Sequence, residues 1–268
     1  MEMKIQMRYL SDYHLHSKYS FDGNQTIEEI ILKAISREIN EICLTEHISF
    51  DPKDSSYNFF NFRDYRNELQ KLSKKYAGKI NIKKGLEIGE YHLYNEDFDK
   101  YFKEHNLDFI IGSIHNLNGR GFRTNIAENG VKYTYETYFK EVLTFVQMGD
   151  FDVLGHLDIV QRYAFEAGNV YNFEDYKDYI YDILKTIISR GKGIEVNTSG
   201  LSNNLLFPKL EILHMYKDLK GEILTVGSDA HSRNRVGENV NYVYDILKDI
   251  GFKYVSTYDN REINGRLL

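Results

Sequence analysis

Nine side chains in this sequence have the types and spacing to bind divalent cations: His14, His16, Asp22, His47, Glu87, His115, His156, Asp229 and His231. The shortest spacing is Asp12-Tyr-His14-Leu-His16, which follows an apolar run at residues 5–10. Residues two apart in a strand project from one face, so both imidazoles can converge on one ion. Asp12, one step back on that face, is placed to fix a histidine tautomer. Of nine histidines, six fall at or just past the end of a short apolar run, whereas His92, His105 and His214 show no such pattern. Glu87 and Asp229 hold equivalent run ends, and Asp22 lies in the loop after the first. Taken singly, each is an ordinary surface residue, turn or cap. Taken together, they describe one cavity with room for two or three divalent ions and open coordination positions. Mixed nitrogen and oxygen donors suit zinc, manganese and iron alike.

Such residues need a frame that gathers distant strand ends. Strands are expected at 5–10, 41–45, 80–88, 107–115, 152–156, 193–197 and 223–231, with a further short one at 254–257. Helices are expected at 27–35, 63–76, 96–104, 133–148, 171–190, 208–219 and 239–250, the first capped by Thr26. Residues 51–62 and 116–129 read as loops, the second rich in Gly and Asn and suited to an active site. Strand–helix alternation with only two prolines and no Ser/Gly linker implies parallel strands with helices outside. That describes a barrel or a doubly wound sheet, in one domain over residues 1–268. In a parallel barrel, chemistry sits at the carboxyl ends of the strands.

Composition narrows the partners. The chain is acidic, with net charge −6 and pI about 5.9, and has no basic stripe, which argues against nucleic acid. Its 22 Tyr and 16 Phe, with no Trp, read as packing residues with polar handles. The single cysteine, Cys43, sits in an apolar run and reads as a buried strand residue. No apolar run reaches membrane-spanning length, so no membrane partner is expected and the cytoplasm is the expected compartment.

The same residues resemble the polymerase-and-histidinol-phosphatase (PHP) superfamily. Asp12-x-His14-x-His16, Thr45-Glu46-His47, Gly85-Leu86-Glu87, Gly112-Ser113-x-His115, Gly155-His156 and Gly227-Ser228-Asp229-Ala230-His231 occur in that family's order. Length and the segment Gly193-Ile-Glu-Val-Asn-Thr-Ser-Gly200 most resemble its stand-alone histidinol-phosphate phosphatases. The resemblance implies a distorted seven-stranded (β/α) barrel, similar to a TIM barrel, holding three divalent ions. It implies His14, His16, Glu87 and Asp229 at the first ion, with Glu87 bridging to a second completed by His115 and His156. It implies Asp22, His47 and His231 at the third. Two departures stand out: many relatives carry histidine at Asp22, and the arginine expected just after Gly200 is replaced by Leu201-Ser202-Asn203.

A cluster of divalent ions leaves the cleft net positive and lowers the pKa of a coordinated water, which suits hydrolysis of a phosphate monoester by a bridging hydroxide. The resemblance makes that monoester L-histidinol phosphate and places the chain in histidine biosynthesis. Asp229 or His231 is placed to return a proton to the leaving oxygen. Arg162, on the loop six residues past His156, is the first choice for a phosphate clamp, with Arg123 and Arg235 behind it. The aromatic loops at 57–62 and 91–94 are candidates for the histidinol amine and imidazole. The closest enzymatic rival, a metal-dependent amidohydrolase, bridges its ions through a modified lysine and has no need of Asp22, His47 and His231. An exonuclease on this barrel calls for a basic stripe, and a purely structural metal module closes its sites with complete ligand shells.

Overall fold

The computed structural model describes residues 8–169 and 172–268. Residues 5–7 of the expected opening strand, 5–10, and the first residue of the helix expected over 171–190 lie outside the described residues, and residues 8–10 lead into the strand without joining it. The chain begins with β1 (Ser11–Asp12), α1 (Ile27–Ser36), β2 (Glu41–Ile48), α2 (Phe62–Lys75), β3 (Asn81–Gly89), α3 (Asn95–Glu104) and β4 (Phe109–Ser113). A hairpin, β5 (Asn116–Leu117) and β6 (Arg120–Gly121), precedes α4 (Phe122–Asn129) and α5 (Val131–Met148). Next come β7 (Val153–Leu154), α6 (Val160–Glu166), α7 (Lys177–Ser189), β8 (Gly193–Asn197), α8 (Leu210–Asp218), β9 (Leu224–Gly227) and α9 (Val240–Ile250). A second hairpin, β10 (Tyr254–Asp259) and β11 (Glu262–Leu267), closes the chain.

Local chemistry sets these elements. The Glu29 N–H donates to Thr26 Oγ1 at 3.2 Å and the Thr26 N–H donates to Glu29 Oε2 at 2.9 Å. This reciprocal cap starts α1, whose Ile27, Ile30, Ile31 and Ala34 then share one buried face.

Seven strands pair in the order β1-β2-β3-β4-β7-β8-β9, each neighbour parallel. The two ends of the sheet meet, since the Tyr13 N–H donates to the Val226 carbonyl at 2.9 Å and the His16 N–H to the Ala230 carbonyl at 3.1 Å. This is a distorted seven-stranded (β/α) barrel. The doubly wound alternative falls because an open sheet would leave β1 and β9 as unpaired edges.

Side-chain alternation divides the barrel into layers. Tyr13, Cys43, Phe109, Ile111, Val153 and Tyr258 fill its lower interior as a cluster apart from the main core under the helices. On the same strand faces, Cys43 leads to His47 and Ile111 to Ser113, so the interior turns polar towards the carboxyl ends. Glycine permits that packing at Gly85, where a Cβ would stand 2.6 Å from Cys43 Sγ and 3.1 Å from the Phe109 carbonyl oxygen.

The terminal hairpin plugs the opposite, amino end. The Tyr258 N–H donates to the Tyr13 hydroxyl at 2.7 Å, and that hydroxyl donates to Glu41. Arg261 grips both Asp150 oxygens at 2.9 and 2.7 Å, and its Nε donates to Asp152 at 3.1 Å. Only its first strand is legible in the sequence, because β11 is exposed along nearly its whole length and lacks the apolar alternation of a half-buried strand.

Two stretches read as loops are structured. Residues 116–129 form the β5–β6 hairpin and α4. Asn125 Nδ2 holds them together, donating to the carbonyls of Leu117, Arg120 and Gly121 at 3.2, 2.9 and 3.1 Å. A buried amide here does work that apolar periodicity usually signals. Arg162 likewise lies on α6, not on a loop. No helix among the described residues is long and apolar enough to cross a membrane.

Candidate metal centre

Glu87, on β3 and only 1% exposed, is the hub. Its Oε2 lies 3.0 Å from His14 Nε2, 3.4 Å from His16 Nε2 and 3.1 Å from His47 Nδ1. Its Oε1 lies 3.1 Å from His115 Nε2 and 2.9 Å from His156 Nε2. Asp229 Oδ1 stands 3.6 Å from His14 Nε2, 3.5 Å from His16 Nε2 and 3.5 Å from His231 Nδ1. Asp22 Oδ2 is 3.2 Å from His231 Nε2 and 3.6 Å from His47 Nε2. The structure thus brings all nine sequence-derived candidates into one cavity at the carboxyl end of the barrel. His92, on the flank, pairs with Glu141 instead.

A second layer of acids orients the first. His14 Nδ1 lies 2.6 Å from Glu195 Oε1, and Glu195 Oε2 accepts the His156 backbone N–H at 2.8 Å. Glu195 therefore fixes the His14 tautomer with Nε2 facing the cavity. Asp12 does not take that part. Its carboxylate accepts the Ser228 N–H and hydroxyl at 2.8 and 2.5 Å and the Gly237 N–H at 2.8 Å, which ties the loop after β9 to β1. Glu46 accepts from Ser17 Oγ and Ser20 Oγ, both at 2.6 Å, while Ser20 Oγ also lies 3.2 Å from His16 Nδ1. Glu90 accepts the backbone N–H groups of His115 and Asn116 at 2.6 and 2.8 Å.

Glu195 carried no signal of its own in the sequence, since one acid inside an apolar strand resembles a strand-end charge. The segment at 193–200 that carries the family resemblance contains it, and its partner glycine is a second hint. A Cβ on Gly227 would stand 2.3 Å from Glu195 Oε1 and 2.4 Å from His14 Cβ, so β9 must present glycine there.

The electrostatics call for cations. Burial alone would push Glu87 and Asp229 up, yet the surrounding imidazoles hold both well below the usual carboxylate range. Burial would lower His14, but Glu195, Glu87 and Asp229 lift it well above the ordinary imidazole value. Carboxylates likewise outweigh burial at His115 and His231, each pushed up to about 9. His16 goes the other way, driven well down by burial and by His47 and His231 beside it. His16 is thus held in the neutral form that binds a metal, whereas His14, His115 and His231 exchange a proton for the ion they bind.

The residues fit divalent metal ions on three counts. Buried His16 Nε2 and Asp22 Oδ1 have no hydrogen-bond partner. Four groups of three such side chains have donor atoms within 4.8 Å of one another. The separations also match the ~3.3 Å edge of a tetrahedron with bonds of about 2.0–2.1 Å.

Seven of the nine, all but the fully buried His14 and His16, line a cleft of about 300 Å³, also lined by Phe21, Lys53, Asp54, Asn116, Arg162 and Tyr163. Arg162 lies over the Phe207 ring and donates to Ser199 Oγ at 2.5 Å, and Ser199 Oγ in turn lies 3.3 Å from Asp229 Oδ2. Arg123 and Arg235 do not line this cleft. Arg123 is bound in two places by Glu166, at 2.8 and 3.0 Å. Arg235 bonds Glu238 and the Ser199 carbonyl at 3.0 and 2.7 Å. The aromatic loops at 57–62 and 91–94 also stand aside, and residues 53–56, just before the first of them, form the wall.

A parallel barrel with such a ligand set at its carboxyl end defines a metal-dependent hydrolase. The PHP domain family matches residues 12–199, and the chain belongs to that family. A histidinol-phosphatase of Lactococcus lactis is 26% identical over 264 residues, covering 94% of this chain and 96% of its own length. A probable histidinol-phosphatase of Clostridium acetobutylicum is 30% identical over 249 residues, covering 91% and 95%. The crystal structure of histidinol phosphate phosphatase from L. lactis, complexed with zinc, L-histidinol and phosphate, matches with TM-score 0.88 at 25% identity, covering 96% of this chain and 100% of that one.

Proposed function

We propose that this chain is a histidinol-phosphatase, a phosphoric monoester hydrolase that converts L-histidinol phosphate to L-histidinol and inorganic phosphate in histidine biosynthesis. The observation that carries the reading is Glu87, with imidazoles 2.9–3.4 Å from its two oxygens on either side. It is joined by near full-length similarity to histidinol-phosphatases. We assign the whole chain, 1–268, to one PHP-type unit, because β9, Asp229 and His231 complete the barrel and the ligand set beyond the matched residues. We place it in the cytoplasm, which the free buried thiol of Cys43 suits.

His14, His16, Glu87 and Asp229 would hold one divalent ion, Glu87, His115 and His156 a second, and Asp22, His47 and His231 a third. Such ions, whether zinc, manganese or iron, supply Lewis acidity and lower the pKa of bound water. The protein's own groups do the rest. Arg162 binds phosphoryl oxygen with a planar guanidinium already held by Ser199 and Phe207. Glu87 keeps Oε2 towards His14, His16 and His47 and Oε1 towards His115 and His156. His231 donates from Nδ1 to the Asp229 carbonyl at 3.0 Å, leaving Nε2 towards Asp22. Asp229 Oδ2, the oxygen turned from the histidines, accepts the proton given up by the attacking water and passes it to the leaving alkoxide.

The amidohydrolase reading loses ground because a glutamate, not a lysine, stands where the imidazoles converge. The test is phosphate release from L-histidinol phosphate, aryl phosphates, nucleotide monoesters and amides, on protein of measured metal content. Histidinol phosphate should give the highest kcat/KM. Preferential turnover of another monoester, or of an amide, would replace the proposal.

A further inference from the structure

The cleft contains a fourth carboxylate that the metal centre does not use. Asp22, Glu87 and Asp229 each lie 2.9–3.6 Å from imidazole nitrogens, whereas Asp54, from the loop after β2, has no ion-pairing partner among the described residues. Its carboxylate is held in one orientation. Oδ1 accepts the Ser56 N–H at 2.8 Å and also the Ser56 hydroxyl, and Oδ2 accepts from Asn116 Nδ2 at 2.7 Å. A carboxylate accepts about four hydrogen bonds, so Oδ2 keeps one acceptor position for a group in the cleft. Asn116 directly follows His115, which puts Asp54 beside the edge of the ligand set and within reach of a short molecule bound there.

We propose that Asp54 is the specificity residue for a cationic amine, binding the ammonium group of a substrate whose phosphate occupies the metal centre. This deepens the histidinol-phosphatase reading and rests on it. The other charges lining the cleft, Lys53 and Arg162, are cationic like the ions, and each disfavours an ammonium group. A substrate carrying phosphate and ammonium a few bonds apart therefore needs an anion at one point of the wall. Asp54 is that anion, preorganised by Ser56 and Asn116 so that little order is lost on binding. Phosphate esters without an amine leave the same carboxylate with nothing to bind.

The test crosses two substrates with two enzymes of equal metal content. The substrates are L-histidinol phosphate and its analogue lacking the amine, and the enzymes are the wild type and Asp54→Asn, whose amide can still accept the Ser56 N–H. Wild type should prefer the amine about 10- to 100-fold in kcat/KM, mainly through KM, as expected for a hydrogen bond between charged groups. Asp54→Asn should lose that preference while hydrolysing the amine-free analogue as the wild type does. Equal losses on both substrates would make Asp54 a loop anchor and overturn the proposal. An absent preference in the wild type would overturn it without any variant, with hydrolysis of histidinol phosphate intact. If the wild type hydrolyses other monoesters but neither of these, the functional reading itself fails.

Discussion

Glu195 and His14 stand 181 positions apart in the chain, yet their side chains meet at 2.6 Å on the floor of the metal centre. The contact aims His14 Nε2 at Glu87 and Asp229, and the other oxygen of Glu195 anchors the His156 backbone. Glu195→Gln keeps the size but removes the charge that orients the ring. Apparent metal affinity should fall about 10- to 100-fold, measured by competition with a chromogenic chelator, with the far-UV circular dichroism unchanged.

Gly227 makes that approach possible. Gly227→Ala would place a methyl 2.3 Å from Glu195 Oε1 and 2.4 Å from His14 Cβ. The strand must shift, at a cost of about 1–3 kcal/mol, and thermal melting should show it together with lost metal. Gly121→Ala, where nothing lies within 4 Å, is the control and should melt like the parent.

Removing His231 tests the number of ions. His231→Ala leaves Asp22 with His47 alone, 3.6 Å away. Metal content should drop by about one ion per chain, and kcat by two orders of magnitude or more, on the scale of a lost electrostatic stabiliser. A variant with near-normal kcat would refute the three-ion assignment.

Chelation should destabilise as well as inactivate. With ions removed, Glu87 and Asp229 must share a buried cavity with imidazoles alone. Binding only to the folded state contributes about 4 kcal/mol at a thousandfold excess over Kd, so the melting temperature should fall on chelation. It should recover on adding zinc, manganese or iron, and the ion restoring most activity identifies the metal.

The barrel plug depends on Arg261. Arg261→Ala leaves Asp152, which is 6% exposed, with the Ile110 N–H as its remaining partner. The cost should be about 1–3 kcal/mol, read by denaturant unfolding at neutral pH. Asp150 adds a pH signature. Its burial is outweighed by Arg261 and Lys192, which hold its carboxyl below the usual range. A depressed folded pKa stabilises above the unfolded value of about 3.9 and loses that contribution as pH falls through the folded value. The gap between parent and variant should therefore narrow in acid, by well under ~1 kcal/mol from Asp150 because solvent screens it.

The sequence by itself determined the strand–helix alternation and the candidate ligands, with a barrel implied by the family resemblance. Closure of the sheet decided between barrel and doubly wound sheet. Short apolar strands ending in His47, His115, His156 and Asp229 are local signals, set by alternation along a few residues. Parallel barrels place every strand end on one rim, so local signals suffice to group them. Tertiary structure alone decided the rest, because it depends on pairs distant in the chain. Glu195, not Asp12, orients His14, since β8 and not β1 supplies the floor beneath it. Arg123 is taken up by Glu166, while Arg162 is carried into the cleft by a short helix with too few turns to show a period. Residues 53–56, not their aromatic neighbours, form the cleft wall, because the aromatic rings of Phe60 and Phe62 pack against Tyr65 of α2. Periodicity reports which face of an element is buried. It carries no information on which distant side chain that face will meet.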